Sequence, residues 1–435
     1  MHISLVNLGC KVNQYELQAL NTALTKKGHT VSGEMCYADV YILNTCAVTN
    51  EAERKSRQFV TKAYKRNKDA KIIVMGCASQ NNVGAFAEKG VHYVVGSFEK
   101  AKISEIIDGL GDADVAEFQS VKSYGSADAR DRANHTVYEK TEYASTDRTR
   151  QFIKIQDGCD NFCSYCIIPY LRGSSRSREA GDVIDEIASV TLGEVVLIGI
   201  NLSAYGKDTG TSLTALLNQI REKTPDVRLR LGSLEANVVD DEFLCALRSL
   251  KNFCPHFHLS LQSGDDGVLK DMNRRYDAQY FFERVTLIRK YFARAAITTD
   301  IIVGFPTESE EAFSSTLKFA EMTGFSDIHV FPYSARNGTR AAELKERVSD
   351  SMIKERVKRL TELKLRLKKE YIKSFLGETV ETLIENIADD GTGFAFGYSP
   401  NYIRVYAGGR FKVGGIYKIS LKEDFLDGAK GEKVC

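Results

Sequence analysis

The chain has 435 residues, 43% hydrophobic and 10% aromatic, which supports sizeable cores and excludes a disordered or collagen-like polymer. Its 59 basic and 58 acidic side chains nearly cancel, so any polyanion site has to be a local patch. The longest apolar runs, such as residues 195–200, fall far short of the roughly 20 residues of a membrane span, and no basic stretch precedes an apolar one at the amino terminus; a cytoplasmic protein without membrane association is expected.

Over residues 1–112, strand-like runs at 2–10, 40–46, 71–77 and 91–96 alternate with helical stretches near 14–27, 50–67 and after 77. That alternation predicts an α/β domain on a parallel sheet. Three of these runs end in cysteine: Cys10, Cys46 and Cys77. The carboxyl ends of parallel strands share one edge, where ligands bind, so these thiols are expected to converge. A lone thiol at a strand end is commonly a packing residue, but the threefold repeat favours a shared site. Ten cysteines spread this widely, in a reducing compartment, do not read as a disulfide scaffold.

Residues 113–145 are polar and aperiodic and read as a linker. The next domain, 146–374, has strand candidates at 152–158, 194–201, 227–235, 256–263, 296–305 and 327–334. Helical stretches are expected at 179–192, 211–223, 239–250, 276–291 and 309–323, with a long basic amphipathic helix at 350–375 packing back on the domain. Six strand–helix units suit a doubly wound sheet or a (β/α) barrel, and spacing alone does not choose. Residues 375–435 read as short strands with glycine-marked turns, a small antiparallel β-barrel.

Directly after the strand at 152–158 comes CDNFCSYC, which places Cys159, Cys163 and Cys166 as C-x3-C-x2-C. A zinc site wants four ligands, and no His or Cys follows at finger-like spacing. Three thiolates on a short loop can instead hold three corners of an iron–sulfur cubane and leave one iron open. A non-catalytic electron-transfer or RNA-binding protein would call for a closed cluster with four protein ligands.

The spacing and place of this motif resemble those of the radical S-adenosylmethionine (SAM) superfamily. LGCKVNQYE (8–16), LNTCAVTNEAERKSR (43–57), VMGCASQ (74–80), GCDNFCSYCIIPYLRGSSRSR (158–178), LSLQSGDDGVLKDMNRRY (259–276), TDIIVGFPTESEE (299–311) and FPYSARNGTRAAEL (331–344) are similar to the methylthiotransferases of that superfamily. The resemblance covers nearly the whole chain. It implies an amino-terminal methylthiotransferase domain, a central partial (β/α)6 TIM-like radical SAM barrel and a carboxyl-terminal TRAM β-barrel. It also implies two [4Fe-4S] clusters and S-adenosyl-L-methionine. Cys159, Cys163 and Cys166 would hold the SAM-binding cluster, where one electron yields a 5′-deoxyadenosyl radical able to attack an unactivated C–H bond, chemistry no side chain supplies. Cys10, Cys46 and Cys77 would hold the cluster that supplies or carries sulfur.

Carried over residue by residue, SAM contacts are expected from Tyr165 beside the third cysteine, from Gly199 and Asn201, and from Ser233 and Glu235. Gln262 and Arg274 complete the set near the methionine end, and Asp300 is a contact to SAM or substrate. The segment LGCKVNQYE, with GSLEAN at 232–237, is most similar to the branch (MtaB) that acts on N6-threonylcarbamoyladenosine at tRNA position 37. The sister branches act on isopentenyladenosine in tRNA and on a ribosomal-protein aspartate. Expected partners are the tRNA anticodon stem-loop, a low-potential electron donor and a sulfur source. Arg172, Arg176 and Arg178, just after the cluster loop, are expected to contact RNA phosphates, which position a nucleic acid without reading it. Two weaker basic patches are Arg54 to Lys68 and the set Arg404, Arg410 and Lys412 interleaved with Tyr402 and Tyr406.

Overall fold

The computed structural model describes residues 1–110, 122–124, 137–145, 148–191, 193–388 and 394–434. Two units divide the chain: the first takes Met1–Thr146, Gln156–Arg178 and Ser334–Ala342, and the second takes Asp147–Ile155, Glu179–Tyr333 and Glu343–Cys435.

In the first unit, strands β1 (His2–Asn7), β2 (Thr30–Ser32), β3 (Val40–Thr45), β4 (Lys71–Gly76), β5 (Tyr93–Val95) and β6 (Lys122–Tyr124) form a parallel sheet in the order β2-β1-β3-β4-β5-β6. Strand residues alternate between faces, so both faces need cover and the strands read as near-continuous apolar runs. Ile3, Leu5, Ile42, Ile73 and Met75 pack with Leu17, Leu20 and Leu24 of the helix Lys11–Lys26 and with Ile103 and Ile107 of Lys102–Gly109. Tyr41, Leu43, Ile72 and Val74 pack with Val60 and Ala63 of Asn50–Arg66 and with Phe86 of Val83–Ala87. The strand order reverses between β1 and β3, the switch point at which doubly wound sheets bind ligands. Short β2 was not anticipated. The expected linker at 113–145 lies largely outside the described residues, and its part at 122–124 is β6, paired with β5.

Strand β7 (Arg150–Asp157) starts in the second unit and ends in the first, where Gln156 and Asp157 pair antiparallel with β8 (Arg176–Ser177). The second unit continues with β9 (Glu194–Gly199), β10 (Arg228–Leu231), β11 (Ser233–Leu234), β12 (Asn252–Phe253), β13 (His256–Leu259), β14 (Ala296–Val303) and β15 (Asp327–Pro332). β12-β10-β9 form one parallel run, with β7 beside β9, and β11-β13-β14-β15 form another. The single strand expected at 227–235 is therefore two. It breaks at Gly232, whose N–H still reaches the Leu197 carbonyl at 2.8 Å, so one polypeptide segment carries the wall from one sheet to the other. The six expected strand positions thus make a partial barrel rather than a flat doubly wound sheet. Ile153, Leu197, Leu231, Phe257, Ile301 and Ile328 face outward into one apolar core with the covering helices. Leu360, Leu363 and Leu367 of the helix Asp350–Lys373 join that core, as expected.

Strands β16 (Thr379–Ile387), β17 (Phe394–Tyr398), β18 (Arg404–Gly408), β19 (Ile416–Phe425) and β20 (Gly428–Lys433) close into a barrel. One contact, β18 with β20, is parallel. Five strands in a ring cannot alternate direction throughout, so a fully antiparallel closure is geometrically impossible. The loop after β17 meets the starts of the partial-barrel strands. Arg230 donates to the carbonyls of Ser399 (3.2 Å) and Pro400 (3.0 Å), Tyr402 stacks on His256 at 4.3 Å, and Arg150 pairs with Glu385.

Candidate functional site

Cys10, Cys46 and Cys77 follow β1, β3 and β4, three neighbouring strands astride the switch point. Each sits where a strand gives way to a turn. Cys10 caps the helix Lys11–Lys26, with its Sγ 3.0 Å from Asn13 Oδ1. Cys77 opens the short helix Cys77–Asn81 after Gly76, whose φ of 99° and tight approach to Asn44 Oδ1 and the Thr45 carbonyl exclude a side chain. The three thiols act electrostatically on one another: Cys77 bears on both Cys10 and Cys46, and Cys10 on Cys46. Burial pushes the Cys46 thiol up to about 12, with Cys77 adding and Arg172 opposing. Among the described residues all nine cysteines are free thiols.

A buried polar lattice holds this edge. Asn13 Nδ2 donates to Asn44 Oδ1 at 2.6 Å, and Asn44 Nδ2 donates back to the Asn13 carbonyl at 3.0 Å, which ties the helix after β1 to β3. Arg172 is fully buried. Its Nη1 donates to Glu16 (2.9 Å) and Asp157 (3.0 Å), and its Nε lies 3.3 Å from Cys77 Sγ. Lys100 reaches Glu16 at 3.2 Å.

The loop with Cys159, Cys163 and Cys166 belongs to the same unit. It leaves β7 at Gly158, where φ is 73° and an added Cβ would lie 2.0 Å from the Ser174 carbonyl. The Cys159 N–H binds the Gly173 carbonyl (3.1 Å), the Cys166 N–H closes a turn on the Cys163 carbonyl (2.9 Å), and the Ser164 carbonyl accepts from the Ala341 N–H (2.8 Å). All three cysteines are partly exposed, whereas in the first triplet Cys10 is exposed and Cys46 and Cys77 are buried. Both triplets thus offer three free thiols from a fixed backbone, a donor set that fits a cubane.

In the second unit, Gly199 ends β9, Asn201 caps the turn Leu202–Ala204, and Ser233 and Glu235 flank the end of β11. Gln262 follows β13 with φ of 75° and bridges β14, its N–H on the Asp300 carbonyl (2.8 Å). Arg274 is committed internally: Nη2 meets Glu235 at 2.6 Å and the Ser260 carbonyl at 2.8 Å. Asp300 sits between two imidazoles, 3.2 Å from His258 Nε2 and 3.1 Å from His329 Nδ1. Burial alone would raise its carboxyl, but hydrogen bonds from His258 and His329 win and hold it well below the usual carboxylate range.

Residues 2–96 match the uncharacterized protein family UPF0004, and residues 153–320 match the radical SAM superfamily. A threonylcarbamoyladenosine tRNA methylthiotransferase MtaB of Bacillus subtilis is 36% identical over 95% of this chain and 92% of its own. One of Thermotoga maritima is 37% identical over 97% and 94%. The chain belongs to the radical SAM methylthiotransferases. A tRNA-2-methylthio-N(6)-dimethylallyladenosine synthase of Acetivibrio thermocellus is 33% identical over 87% of this chain and 80% of its own. Among solved structures, the radical SAM methyltransferase TsrM of Kitasatospora setae shares the fold, with a TM-score of 0.58 at 16% identity over 78% of this chain and 77% of its own.

As a radical SAM methylthiotransferase, the protein is an enzyme that transfers a sulfur-containing group, with SAM and a [4Fe-4S] cluster as cofactors. The closed carboxyl-terminal barrel is the one a TRAM domain has. No described helix is long and apolar enough to cross a membrane.

One expectation needs correcting. Arg172, Arg176 and Arg178 are 0%, 3% and 6% exposed, so they are not a phosphate-binding surface. Arg172 serves the lattice described above, Arg176 donates to the carbonyls of Arg172 and Ser174, and Arg178 donates to the Tyr15 hydroxyl. Tyr402 is likewise engaged, by His256 and Arg230, rather than open to a base. The exposed cations are elsewhere: Lys62, Lys65, Arg66 and Lys68 on and after the helix Asn50–Arg66, and Arg410 and Lys412 in the last barrel. Sequence reasoning missed Asn13, Glu16, Asn44, His258 and His329. Asn13 and Glu16 stood inside the LGCKVNQYE string, where their spacing from Cys10 along a helix was the available signal.

Proposed function

We propose that the protein is a tRNA methylthiotransferase that converts N6-threonylcarbamoyladenosine, 3′ of the anticodon, to its 2-methylthio derivative. The observation that carries this reading is the meeting of Cys10, Cys46 and Cys77 at three adjacent strand ends, in a chain whose second triplet has radical SAM spacing. A second open triplet suits a radical SAM enzyme that also donates sulfur. The substrate rests on the two relatives at 36% and 37% identity and on the LGCKVNQYE segment.

Cys159, Cys163 and Cys166 would hold one [4Fe-4S] cluster, and Cys10, Cys46 and Cys77 a second. Bound there, the clusters would supply the electron that cleaves SAM to its radical and the sulfur destined for C2 of the adenine. The chain's own part is to hold and orient. Gly199 lets a ligand approach the backbone, Asn201, Ser233 and Gln262 offer polar groups at neighbouring strand ends, and Asp300 stays ionised between its two histidines. Glu235 and Arg274 form the ion pair that stiffens this edge, and Tyr165, within the cluster loop beside Cys166, would flank the adenine of SAM. Exposed lysines and arginines of the helix Asn50–Arg66 give the anticodon stem-loop a phosphate-binding face. A low-potential electron donor and a sulfur source complete the set, and a tRNA substrate makes the cytoplasm the working compartment.

The test is nucleoside mass spectrometry of bulk tRNA from cells with and without the gene. Loss of 2-methylthio-N6-threonylcarbamoyladenosine, restored by the wild-type chain and by neither Cys10→Ala nor Cys163→Ala, is the expected result. Persistence of that nucleoside overturns the substrate. A missing methylthio-isopentenyladenosine would then favour the second reading, which the 33%-identical relative supports.

A further inference from the structure

Arg172 is among the most completely buried large side chains of the protein, yet it lies only six residues beyond Cys166 and touches a cysteine of the other triplet. Burying a guanidinium is costly unless each donor is met. Here Nη1 and Nη2 are taken by Glu16 and Asp157, Nη1 at 2.9 and 3.0 Å and Nη2 on Glu16 at 3.3 Å. The two carboxylates fix the plane of the fork, and that plane sends Nε–H toward Cys77 Sγ at 3.3 Å. The charge is permanent, since Arg does not deprotonate in proteins.

We propose that Arg172 is a positioning residue for the sulfur-donating site: a fixed cationic N–H donor to the Cys77 thiolate that sets the reduction potential of the cluster held by Cys10, Cys46 and Cys77, with Glu16 as its counterweight. The inference rests on the two-cluster reading above. A hydrogen bond and a positive charge at a ligating sulfur favour the more negative, reduced state, and so raise the potential. Glu16 works against that effect, because its carboxylate both orients Arg172 and sets a negative charge 2.9 Å from the guanidinium that faces Cys77. The anion that stabilises the arginine therefore limits how far the arginine tunes the site. Because the helix Ile168–Arg172 is tied to the Cys159–Cys166 loop through the Cys159 N–H on Gly173, one short stretch of chain shapes both triplets.

The experiment starts from the full chain carrying C159A, C163A and C166A, reconstituted with iron and sulfide without oxygen, so that one site remains. Midpoint potential is read by spectroelectrochemistry and the reduced state by EPR, with no turnover required. In that background R172Q is expected to shift the midpoint to lower potential, E16Q to shift it upward, and R172K, which keeps the charge but not the fork, to lie between R172Q and the parent. A merely structural Arg172 would leave the retained cluster's potential unmoved, or would move R172Q and E16Q the same way; either result overturns the proposal. Should R172Q fail to fold or to keep its cluster, E16Q decides alone, and an unchanged or lowered midpoint there overturns it. If the triple-cysteine parent takes up no cluster, the two-cluster reading is what fails, which is a separate outcome.

Discussion

Two buried arginines mark opposite kinds of strand end. Arg230, near the start of β10, donates to oxygen, Glu194 at 2.6 and 3.0 Å and two backbone carbonyls, and lies over the Tyr402 ring, while the neighbouring Cys254 thiol donates to Glu194 instead. Arg172 meets two carboxylates and then a thiol. The first arrangement is saturated and fastens the small barrel to the starts of the larger one's strands. The second leaves a soft, reactive ligand at the edge of a carboxyl-terminal strand face. Starts of parallel strands carry stability and their ends carry chemistry, and the same side chain serves both depending on its last partner.

The sharpest way to separate the two regions is to remove a thiol. Cys46→Ala is expected to abolish methylthiolated product while 5′-deoxyadenosine formation from SAM continues, whereas Cys163→Ala loses both; liquid chromatography with mass detection of the two products decides. Arg230→Met should act in the opposite sense. It leaves buried Glu194 with Arg228 as its remaining cation, so a loss short of the about 3–5 kcal/mol of a fully unpaired buried charge is expected in urea unfolding, with little change in the iron content of the folded fraction.

Acid should find the Arg230 region too. Glu194 is buried, which alone would raise its carboxyl, but Arg230 and Arg228 hold it down at about 2. Since the folded value lies below the unfolded one, its stabilisation is complete above the usual carboxylate range near ~4.3 and disappears as pH falls toward the folded value, a contribution of about 3 kcal/mol. Glu194→Gln should flatten that stretch of the stability–pH curve, and an unchanged slope would remove Glu194 from the account. Tyr402→Leu, which keeps bulk but loses the stack on His256 and the faces offered to Arg150 and Arg230, should cost about 1–2 kcal/mol. The smallest effect on the folded protein is expected from Lys62→Gln, Lys65→Gln and Arg66→Gln together. Melting should be unchanged, tRNA affinity should fall about tenfold, and the dependence of binding on log salt should shrink by up to about three units.

Much of this was legible in the sequence, for identifiable reasons. The runs of β3, β4 and β9 are near-continuously apolar because both faces of their sheets are covered, so they stood out, and the cysteines after β1, β3 and β4 pointed to a shared edge. The break at Gly232 was not legible, since glycine in a strand has several uses and only pairing partners reveal which sheet each half joins. The error over Arg172, Arg176 and Arg178 has a plain cause. Charge in a sequence is read as surface by default, and of the carboxylates that let Arg172 go inside, Asp157 lies on the strand before the cluster loop while Glu16 comes from a helix 156 residues away. Asp300 was picked out, but His258 and His329, on the two strands beside it, were visible only once register put His329 opposite Asp300 and His258 opposite Thr298, two residues back on the same strand.

The first unit is discontinuous, and that has a consequence for the order in which the enzyme can be made. Arg172 reaches Cys77 across 95 residues of sequence, and Arg336 clamps Glu53 across 283. A ribosome releasing this chain exposes all three amino-terminal cysteines long before either arginine exists, and the segment Ser334–Ala342 emerges only after the last strand of the partial barrel. The nascent sheet therefore waits for its later segments, Arg172 closing on Cys77 and Arg336 on Glu53 only after each has been made, so the first unit is completed by chain that comes long after its first hundred residues.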